Sequence, residues 1–455
     1  MEHETVAFIP SPAVGHIFAT LEFGAQLLDR RDDLTVHVFT IPFSNNLPGD
    51  SVSPAHPRMR IVNLPEVEPP PIEDRAKSLE KYACDYIANY AHNVRNALYE
   101  IAGEGFKVAG LVVDFFCVSM MDIAEELSIP SYLFWTSSAG FYRFMQSLPG
   151  RGDSPFRISD PDCAVPGYRY PLPASMVPSP SLNGDGGSTT MANIARRMKN
   201  AKGIVINTFR GLESRLLSSI DGDEDSPPTY AVGPVLNFKG YMKPGMESDK
   251  IMAWLDKQPS SSVVFICFGS SGTFPEPDVK VIAKGVERSG YRFLWQLSVP
   301  KGTKPAEEML PEGFVERTAG RGMVCGWVKQ VAVLSHAAIG GFVSHCGWNS
   351  TLESIWYGVP QATLPIFAEQ HLNAFEMVKE LGLAVELKND YRPGSSFVTA
   401  EEVEKGIAAV MDEHSEERKK VKEMSMLAKQ ALVDGGSSSS ALAQFAEDML
   451  RSPWK

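Results

Sequence analysis

The sequence lacks the marks of several large classes of protein. Its six cysteines are scattered through 455 residues, with no CxxC pair and no zinc-ligand spacing. We therefore expect reduced, mostly buried thiols rather than disulfides or a zinc site. No apolar run reaches the roughly 18 residues that a membrane span requires. Residues 1–16 have neither a basic stretch nor a long apolar core, so we expect no signal peptide and a cytoplasmic protein.

Positive charge is also scarce. The chain has 43 lysines and arginines against 55 aspartates and glutamates, which gives a formal net charge of −12. Nucleic acids and anionic membranes bind basic surfaces, so we expect neither as a partner. The composition, 44% hydrophobic and 22% charged, is that of a globular protein rather than a disordered one.

Two common glycine-rich motifs are missing. No complete G-x-G-x-x-G follows a predicted strand, since the pairs at Gly103–Gly105 and Gly320–Gly322 both lack the third glycine. This argues against a dinucleotide-dependent oxidoreductase. The turn Gly269–Gly272 reads G-S-S-G and not G-x-S-x-G, which argues against a serine hydrolase of the nucleophile-elbow type.

Strand and helix patterns alternate in both halves of the chain. The apolar run 5–9 precedes a helical stripe that starts at Ile17, and the apolar run 262–268 precedes a helical face that starts at Val279. This alternation predicts two α/β domains with parallel sheets that face each other. We place the first domain at 1–235, a linker at 236–250 and the second domain at 251–437. The last helix, at about 438–455, is expected to pack back on the first domain.

The segment 327–370 contains the side chains that a nucleotide-sugar site needs. Trp327 is a flat aromatic residue that can cover a base, and Gln330, one helical turn on, can read the edge of that base. A predicted strand at 341–344 leads through His345 into a predicted helix, whose amino terminus suits a diphosphate. Asn349 and Ser350 are residue types that cap helices and can donate to phosphate.

Three further polar residues of this segment fit the sugar half of such a ligand. Glu353 lies one turn inside the same helix and can accept hydrogen bonds from ribose hydroxyls. Glu369 and Gln370 lie in a loop after Pro365, where they can bind the hydroxyls of a sugar. The acidic stretch 221–225 contains a DxD, a pattern that binds manganese in some glycosyltransferases, but it lies among serines and prolines. We interpret it as a solvated loop and expect no metal.

A general base is also present. His16 follows the first predicted strand near the start of a helix, whose positive end is expected to disfavour the imidazolium and keep the ring neutral. Asp114 ends another buried strand, so its carboxylate is expected to reach the same cleft. There it can hold the tautomer of the histidine and stabilise the imidazolium that forms.

The 44 residues from Trp327 to Gln370 closely resemble the sugar-nucleotide box of the plant secondary-product UDP-glycosyltransferases. The resemblance extends along the chain, at residues 12–16, 113–116, 129–131, 207–209, 232–234, 254–256, 268–270 and 293–295. It implies a family 1 inverting enzyme with the GT-B fold, in which two Rossmann-like domains face each other.

The resemblance also implies roles for individual residues. Trp327 would stack on uracil, next to Val328, with Gln330 on the edge of the base and Glu353 on the ribose. The phosphates would be held by Ser270, His345, Asn349 and Ser350. The sugar would be surrounded by Thr136, Trp348, Glu369 and Gln370.

The resemblance further implies that His16 and Asp114 form the catalytic dyad. Trp348 together with the final Gln370 is similar to the pair found in family members that use UDP-glucose. The resemblance also implies an enzyme without metal or cofactor. One departure is that the box opens WVKQ where WAPQ is common, so Lys329 replaces a proline and loosens the loop.

The acceptor is expected beside His16, in the first half of the chain. The candidate lining residues are apolar or aromatic: Val14, Phe116, Phe141, Tyr142, Met145 and Met176. Such walls suit a small lipophilic molecule, and the family suggests a phenolic, a flavonoid or a terpenoid. The sequence leaves O-, C- and N-glycosylation open, as well as a non-catalytic UDP-sugar-binding protein. We expect a monomer.

Overall fold

A computed structural model describes residues 3–42, 53–237, 246–270, 272–299, 304–388 and 397–451. Two parallel sheets form its framework. The first contains β1 (His3–Ile9), β2 (Leu34–Thr40), β3 (Met59–Asn63), β4 (Phe106–Asp114), β5 (Ser131–Trp135), β6 (Ile204–Ile206) and β7 (Thr229–Ala231). The second contains β8 (Val263–Cys267), β9 (Arg292–Gln296), β10 (Gly322–Cys325), β11 (Ile339–Ser344), β12 (Gln361–Thr363) and β13 (Ala384–Glu386).

The strand orders are β3-β2-β1-β4-β5-β6-β7 and β10-β9-β8-β11-β12-β13, and every pairing within them is parallel. The prediction of two parallel α/β domains is therefore confirmed. Strand β4 is almost entirely buried and reads as one continuous apolar run because helices cover both faces of the sheet.

Helices fill the chain between the strands. Those of the first lobe are α1 (Val14–Arg30), α2 (Ile72–Lys77), α3 (Leu79–Ala88), α4 (Ala91–Gly103), α5 (Met121–Glu126), α6 (Ala139–Arg151), α7 (Ser179–Leu182), α8 (Gly187–Met198) and α9 (Ser214–Asp221). Short 3-10 turns occur at Phe115–Met120 and Ala174–Met176.

The first of the remaining helices begins inside the predicted linker. They are α10 (Met246–Leu255), α11 (Glu276–Ser289), α12 (Ala306–Met309), α13 (Phe314–Arg317), α14 (Gln330–Leu334), α15 (Trp348–Tyr357), α16 (Gln370–Phe375), α17 (Ala400–Met411), α18 (Glu416–Leu432) and α19 (Ser437–Arg451). A π-helical turn, Glu376–Glu380, continues α16. Residues 238–245 of the predicted linker lie outside the described residues, and α10 occupies its last part.

The last helix packs on the first lobe. Phe445 of α19 is fully buried, and its ring centroid lies 5.8 Å from Phe23, 5.2 Å from Tyr132 and 5.4 Å from Tyr230. A hydrogen bond of 2.8 Å from the Tyr230 hydroxyl to Asp448 fixes the same contact. The chain thus crosses back after the second lobe, and α19 completes the core behind the first sheet.

Within the described ranges, no helix combines the length and the apolar character needed to cross a lipid bilayer. The core of each lobe lies between its sheet and the flanking helices. A separate apolar cluster includes Phe209 and Leu212 of the first lobe together with Leu352 and Met377 of the second. The two lobes are therefore packed against each other and not merely linked.

We predict that Phe445→Ala lowers the free energy of unfolding by about 3–5 kcal/mol, because it leaves a cavity among three aromatic rings. Denaturant unfolding measures the change. The exposed neighbour Gln444 serves as the control, and Gln444→Ala should stay within about 0.5 kcal/mol of the wild type. A loss for Phe445→Ala as small as that of the control would contradict the packing of α19.

Candidate active site

The candidate residues follow the carboxyl ends of strands in both sheets, where open parallel sheets bind their ligands. His16 lies in the first turn of α1, shortly after β1, and Asp114 is the last residue of β4. His345 directly follows β11 of the second sheet. Because the sheets face each other at these edges, residues far apart in sequence form one cleft.

His16 and Asp114 form a hydrogen-bonded pair. The His16 Nδ1 atom lies 2.7 Å from Asp114 Oδ2, and Thr136 Oγ1 lies 3.0 Å from the same nitrogen. The buried Asp114 carboxylate also accepts from the Ser11 hydroxyl and, at 3.1 Å, from the Phe116 NH. A carboxylate at Nδ1 favours the tautomer with the proton on Nδ1, which leaves Nε2 free to accept a proton.

The pKa of His16 moves upward, not downward. Burial lowers the pKa, but the charge and hydrogen bond of Asp114 and the charge of Glu369 together outweigh it. The expectation that the helix end would disfavour the imidazolium is therefore wrong. A carboxylate in contact with the ring stabilises the cation more than the partial charge of a helix terminus destabilises it.

Nineteen described residues from both lobes line a cleft of about 940 Å3, part of it open to solvent. Predicted donor-site residues among them are Ser270, Trp327, Val328, Gln330, Asn349, Ser350 and Glu353. Trp327 lies in the loop between β10 and α14 with 48% of its surface exposed, so the indole can receive a flat ligand. Such a half-exposed aromatic beside polar groups is typical of a base-binding platform.

Gln330 connects α14 to α15. Its amide nitrogen donates to Ser350 Oγ at 2.8 Å and to Glu353 Oε2 at 2.7 Å. Burial raises the pKa of Glu353 to about 7, and the hydrogen bond from Gln330 opposes that rise. Ribose hydroxyls would act in the same direction as Gln330, since donors favour the carboxylate. The three residues thus form one preorganised polar wall.

His345 is buried between two glycines. A Cβ atom at Gly269 or at Gly347 would lie only 2.6 or 2.5 Å from His345 Nε2, and Gly269 has a φ of +76°. Burial lowers the pKa of His345 to about 4, with an opposing hydrogen bond to the Cys267 backbone. The ring is therefore neutral near pH 7 and acts as a hydrogen-bond donor or acceptor, not as a cation.

Two helix amino termini meet in the cleft. The Asn349 amide, in the first turn of α15, donates to the Gly15 carbonyl, in the first turn of α1, at 3.0 Å. Neither helix has a side-chain cap, because Ala13 and Gly347 occupy the N-cap positions. Uncapped NH groups and two positive helix ends are the features that bind phosphate.

Three of the predicted sugar contacts are also engaged within the protein. The Trp348 indole is buried in the cluster between the lobes and donates to the Asn207 carbonyl at 2.6 Å. Its side chain is only 2% exposed and does not line the cleft, so the predicted contact of this indole with the sugar is not seen. Gln370 Oε1 accepts from the backbone of residues 366 and 367, and Glu369 accepts from the Ser137 hydroxyl at 3.1 Å.

The residues of the predicted acceptor wall lie in different places. Phe116 is partly exposed, with its ring centroid 6.1 Å from that of His16. Val14 lines the donor side of the cleft, and Met176 is half-buried in a 3-10 turn against the core of the first lobe. Three residues do not line a cavity, because at most 2% of each is exposed: Phe141, Tyr142 and Met145. Helix α6 directs them into the core.

Sequence reasoning missed several cleft residues. Gln296 is polar and ends β9, which is the signal that also identifies Asp114. Ser11 lies between two prolines and gave no signal, although it binds Asp114. Gly15 is a close-approach position, where a Cβ would lie 3.1 Å from the Asn349 amide nitrogen.

The rival metal motif does not face the cleft as a ligand set. Asp223 pairs with Arg143 at 2.6 Å and Asp221 with Arg210 at 2.8 Å, so the acidic stretch serves as ion-pair partners of the first lobe. In the part of the chain that the structure describes, no three His, Cys, Asp or Glu side chains are grouped to hold a metal ion.

Known proteins share this arrangement. Residues 237–434 match the family model for UDP-glucoronosyl and UDP-glucosyl transferases. The chain is 42% identical to UDP-glycosyltransferase 71K1 of Malus domestica over 99% of both chains. It is also 42% identical to flavonol 3-O-glucosyltransferase UGT71C4 of Arabidopsis thaliana over 97% of each.

A solved structure agrees along its whole length. Medicago truncatula UGT71G1, crystallised with UDP-glucose, superposes with a TM-score of 0.92 at 43% identity, over 98% of each chain. The family and the GT-B arrangement of two facing lobes, both expected from the sequence, are thereby confirmed. The chain is an enzyme that belongs to the UDP-glycosyltransferases.

Proposed function

We propose that the protein transfers glucose from UDP-glucose to a hydroxyl group of a small lipophilic metabolite of the phenolic, flavonoid or terpenoid class. The observation that carries the proposal is the pair of hydrogen bonds that joins the two halves of the site. Glu369, near the end of the donor segment, accepts from the Ser137 hydroxyl at 3.1 Å, and the hydroxyl of the adjacent Thr136 lies 3.0 Å from His16 Nδ1. A base and a sugar-binding carboxylate therefore face the same space.

The donor assignment is supported by the cleft and by relatives. Trp327, Gln330 and Glu353 fit uracil and ribose, while the amino terminus of α15 fits the diphosphate. The Medicago truncatula structure was solved with UDP-glucose, and the Arabidopsis thaliana relative is named as a flavonol 3-O-glucosyltransferase. The first supports UDP-glucose as the donor here, and the second supports transfer to oxygen.

The chemical step is a single displacement. His16 Nε2 takes the proton of the acceptor hydroxyl as its oxygen attacks the anomeric carbon. The bond from that carbon to the diphosphate breaks, and UDP leaves with the electron pair. Attack opposite the leaving group inverts the configuration. Asp114 stabilises the imidazolium, as an aspartate does in hydrolase triads.

The leaving group is stabilised by fixed dipoles. The uncapped amino termini of α1 and α15 point at the diphosphate site, with Ser350 and His345 as neutral hydrogen-bond partners. We propose that these groups replace a metal ion and that the reaction needs no cofactor. Next to His16, the partly exposed ring of Phe116 offers an apolar surface to a flat acceptor.

A panel of UDP-sugars combined with a mixed pool of phenolics, flavonoids and terpenoids tests the function, with products detected by mass. We expect a hexose gain with UDP-glucose, unchanged in rate when EDTA is present. The mass spectrum of the product should not show the fragmentation that is specific to C-glycosides. The glycosidic linkage should be the inverted β-linkage. The absence of a product with every UDP-sugar would contradict the proposed transfer. A C- or N-linked product would contradict transfer to a hydroxyl group, and loss of activity in EDTA would contradict the absence of a metal.

His16→Ala should lower kcat by at least about 100-fold, because general base catalysis contributes about 10²–10⁴-fold. The dissociation constant of UDP, measured by calorimetry, should change by no more than about twofold. His336→Ala is the matched control, since His336 also pairs with an aspartate, Asp256, at 3.2 Å, but lies at the amino end of β11. Near-normal turnover of His16→Ala would exclude this residue as the base.

The raised pKa of His16 predicts the acid limb of the pH profile. The base must be neutral, so kcat/KM should rise with pH and reach half its maximum above pH 6.5, the ordinary histidine pKa. In Asp114→Asn, the burial of His16 remains but the charge of its partner is lost. The midpoint of the acid limb should therefore fall below pH 6.5, and the plateau of kcat/KM should drop. An identical midpoint in both enzymes would show that the limb does not report this pair.

A further inference from the structure

A row of polar residues along α16 and its two ends joins the two lobes beside the active site. Glu369 is the N-cap of α16, Asn373 lies within it, and Glu376 begins the π-helical turn that continues it. The three residues are spaced by four and three, so they lie along one face. Glu369 accepts from the Ser137 hydroxyl and Asn373 from the Ser138 hydroxyl, both at 3.1 Å. This face of α16 therefore lies along the segment that follows β5 in the first lobe.

The third position of the row contains an unusual pair. Glu376 of the second lobe is 0% exposed and Glu213 of the first lobe is 1% exposed. Glu213 Oε1 accepts from the Gly140 NH at 2.9 Å, and Glu376 Oε2 accepts from the Tyr168 hydroxyl at 3.0 Å. The other two oxygens, Glu213 Oε2 and Glu376 Oε1, are buried without a donor from another residue.

Both carboxyl groups lie against Gly140. Its NH donates to Glu213 Oε1, and a Cβ atom at this position would lie 2.3 Å from Glu376 Oε2 and 2.2 Å from the Tyr168 hydroxyl. Among the described residues, no lysine or arginine forms an ion pair with either carboxyl group. Two carboxylates in contact without a cation would repel each other strongly, whereas one shared proton converts the contact into a hydrogen bond.

The electrostatics of the site agree with a retained proton. Burial raises the pKa of both carboxyl groups, and the neighbouring charge of Glu213 raises the pKa of Glu376 well above its usual range. Among the described residues, the other titratable groups that act on Glu376 are Tyr168 and Glu380. The pKa of Tyr168 is also raised, so it stays a donor, and the charge of Glu380 further disfavours a second anion.

We propose that Glu213 and Glu376 share one proton and act as positioning residues, fastening the helix that carries the end of the donor segment to the segment that carries Thr136. Thr136 in turn contacts both His16 and Asp114, at 3.0 and 3.3 Å. When the proton is lost in alkaline solution, the interface loosens and the sugar-binding residues lose their alignment with the base. The kinetic part of this inference rests on the proposed function, and the structural part does not.

Glu376→Gln tests the shared proton. The amide supplies a permanent N–H to Glu213 and keeps an oxygen for the Tyr168 hydroxyl, so it imitates the protonated acid at every pH. Glu380→Gln is the matched control, since it removes one negative charge from the same turn, where Glu380 accepts from the backbone of residues 169 and 170. Glu213→Gln is the second variant should Glu376→Gln fail to fold.

Unfolding is measured by denaturant between about pH 5 and pH 9. A carboxyl group with a raised native pKa gives stability that is complete below its unfolded pKa and is lost as the pH rises to its native pKa. The folded-to-unfolded ratio of the wild type should therefore fall relative to Glu376→Gln by up to about tenfold per pH unit. Glu380→Gln should run parallel to the wild type.

The kinetic arm follows kcat/KM for UDP-glucose over the same range. The wild type and Glu380→Gln should lose activity on the alkaline side, whereas Glu376→Gln should keep its plateau. Parallel unfolding curves for the wild type and Glu376→Gln would overturn the proposal. Unfolding curves that diverge while kcat/KM falls equally in both enzymes at alkaline pH would also overturn it. The shared proton would then stabilise the fold without positioning the residues of the active site. Because unfolding needs no turnover, failure of the proposed reaction would be recognised separately.

Discussion

The hydrogen bond from the Asn349 amide to the Gly15 carbonyl fixes the geometry on which the site depends. It joins the first turns of α1 and α15, one from each lobe, so that two positive helix ends point into one cleft. His16 is the next residue after Gly15 and therefore lies directly beside the proposed diphosphate site. The second lobe and the proposed base are held in register by this contact and by the polar row along α16 and its ends.

The two histidines of the candidate site show how burial and partners give one residue type different properties. His16 contacts Asp114, and its pKa is raised above the ordinary value, which suits a base that must stabilise a positive charge as it takes a proton. His345 is buried without a carboxylate, and its pKa is lowered to about 4. The proposed phosphate site would thus rely on NH groups and neutral side chains rather than on cations.

The sequence was informative where chemistry follows strand ends, because parallel strands direct their carboxyl ends to one edge. That rule located His16, Asp114 and His345, and the resemblance supplied the rest of the donor segment. The sequence did not indicate which face of α6 is buried, since apolar residues suit a core and a lipophilic pocket equally. Residues 141, 142 and 145 were therefore wrongly expected to line the acceptor pocket. Contacts between the lobes, such as Glu213 with Glu376, depend on how the two domains pack and leave no local pattern.

We propose that both lobes together place an activated sugar beside the imidazole of His16. A crystal structure of the protein with UDP would test this arrangement. We expect uracil stacked on the indole of Trp327, with the phosphates at the amino terminus of α15 beside Ser350 and His345. Nucleotide bound away from Trp327, or phosphates remote from His345, would contradict it.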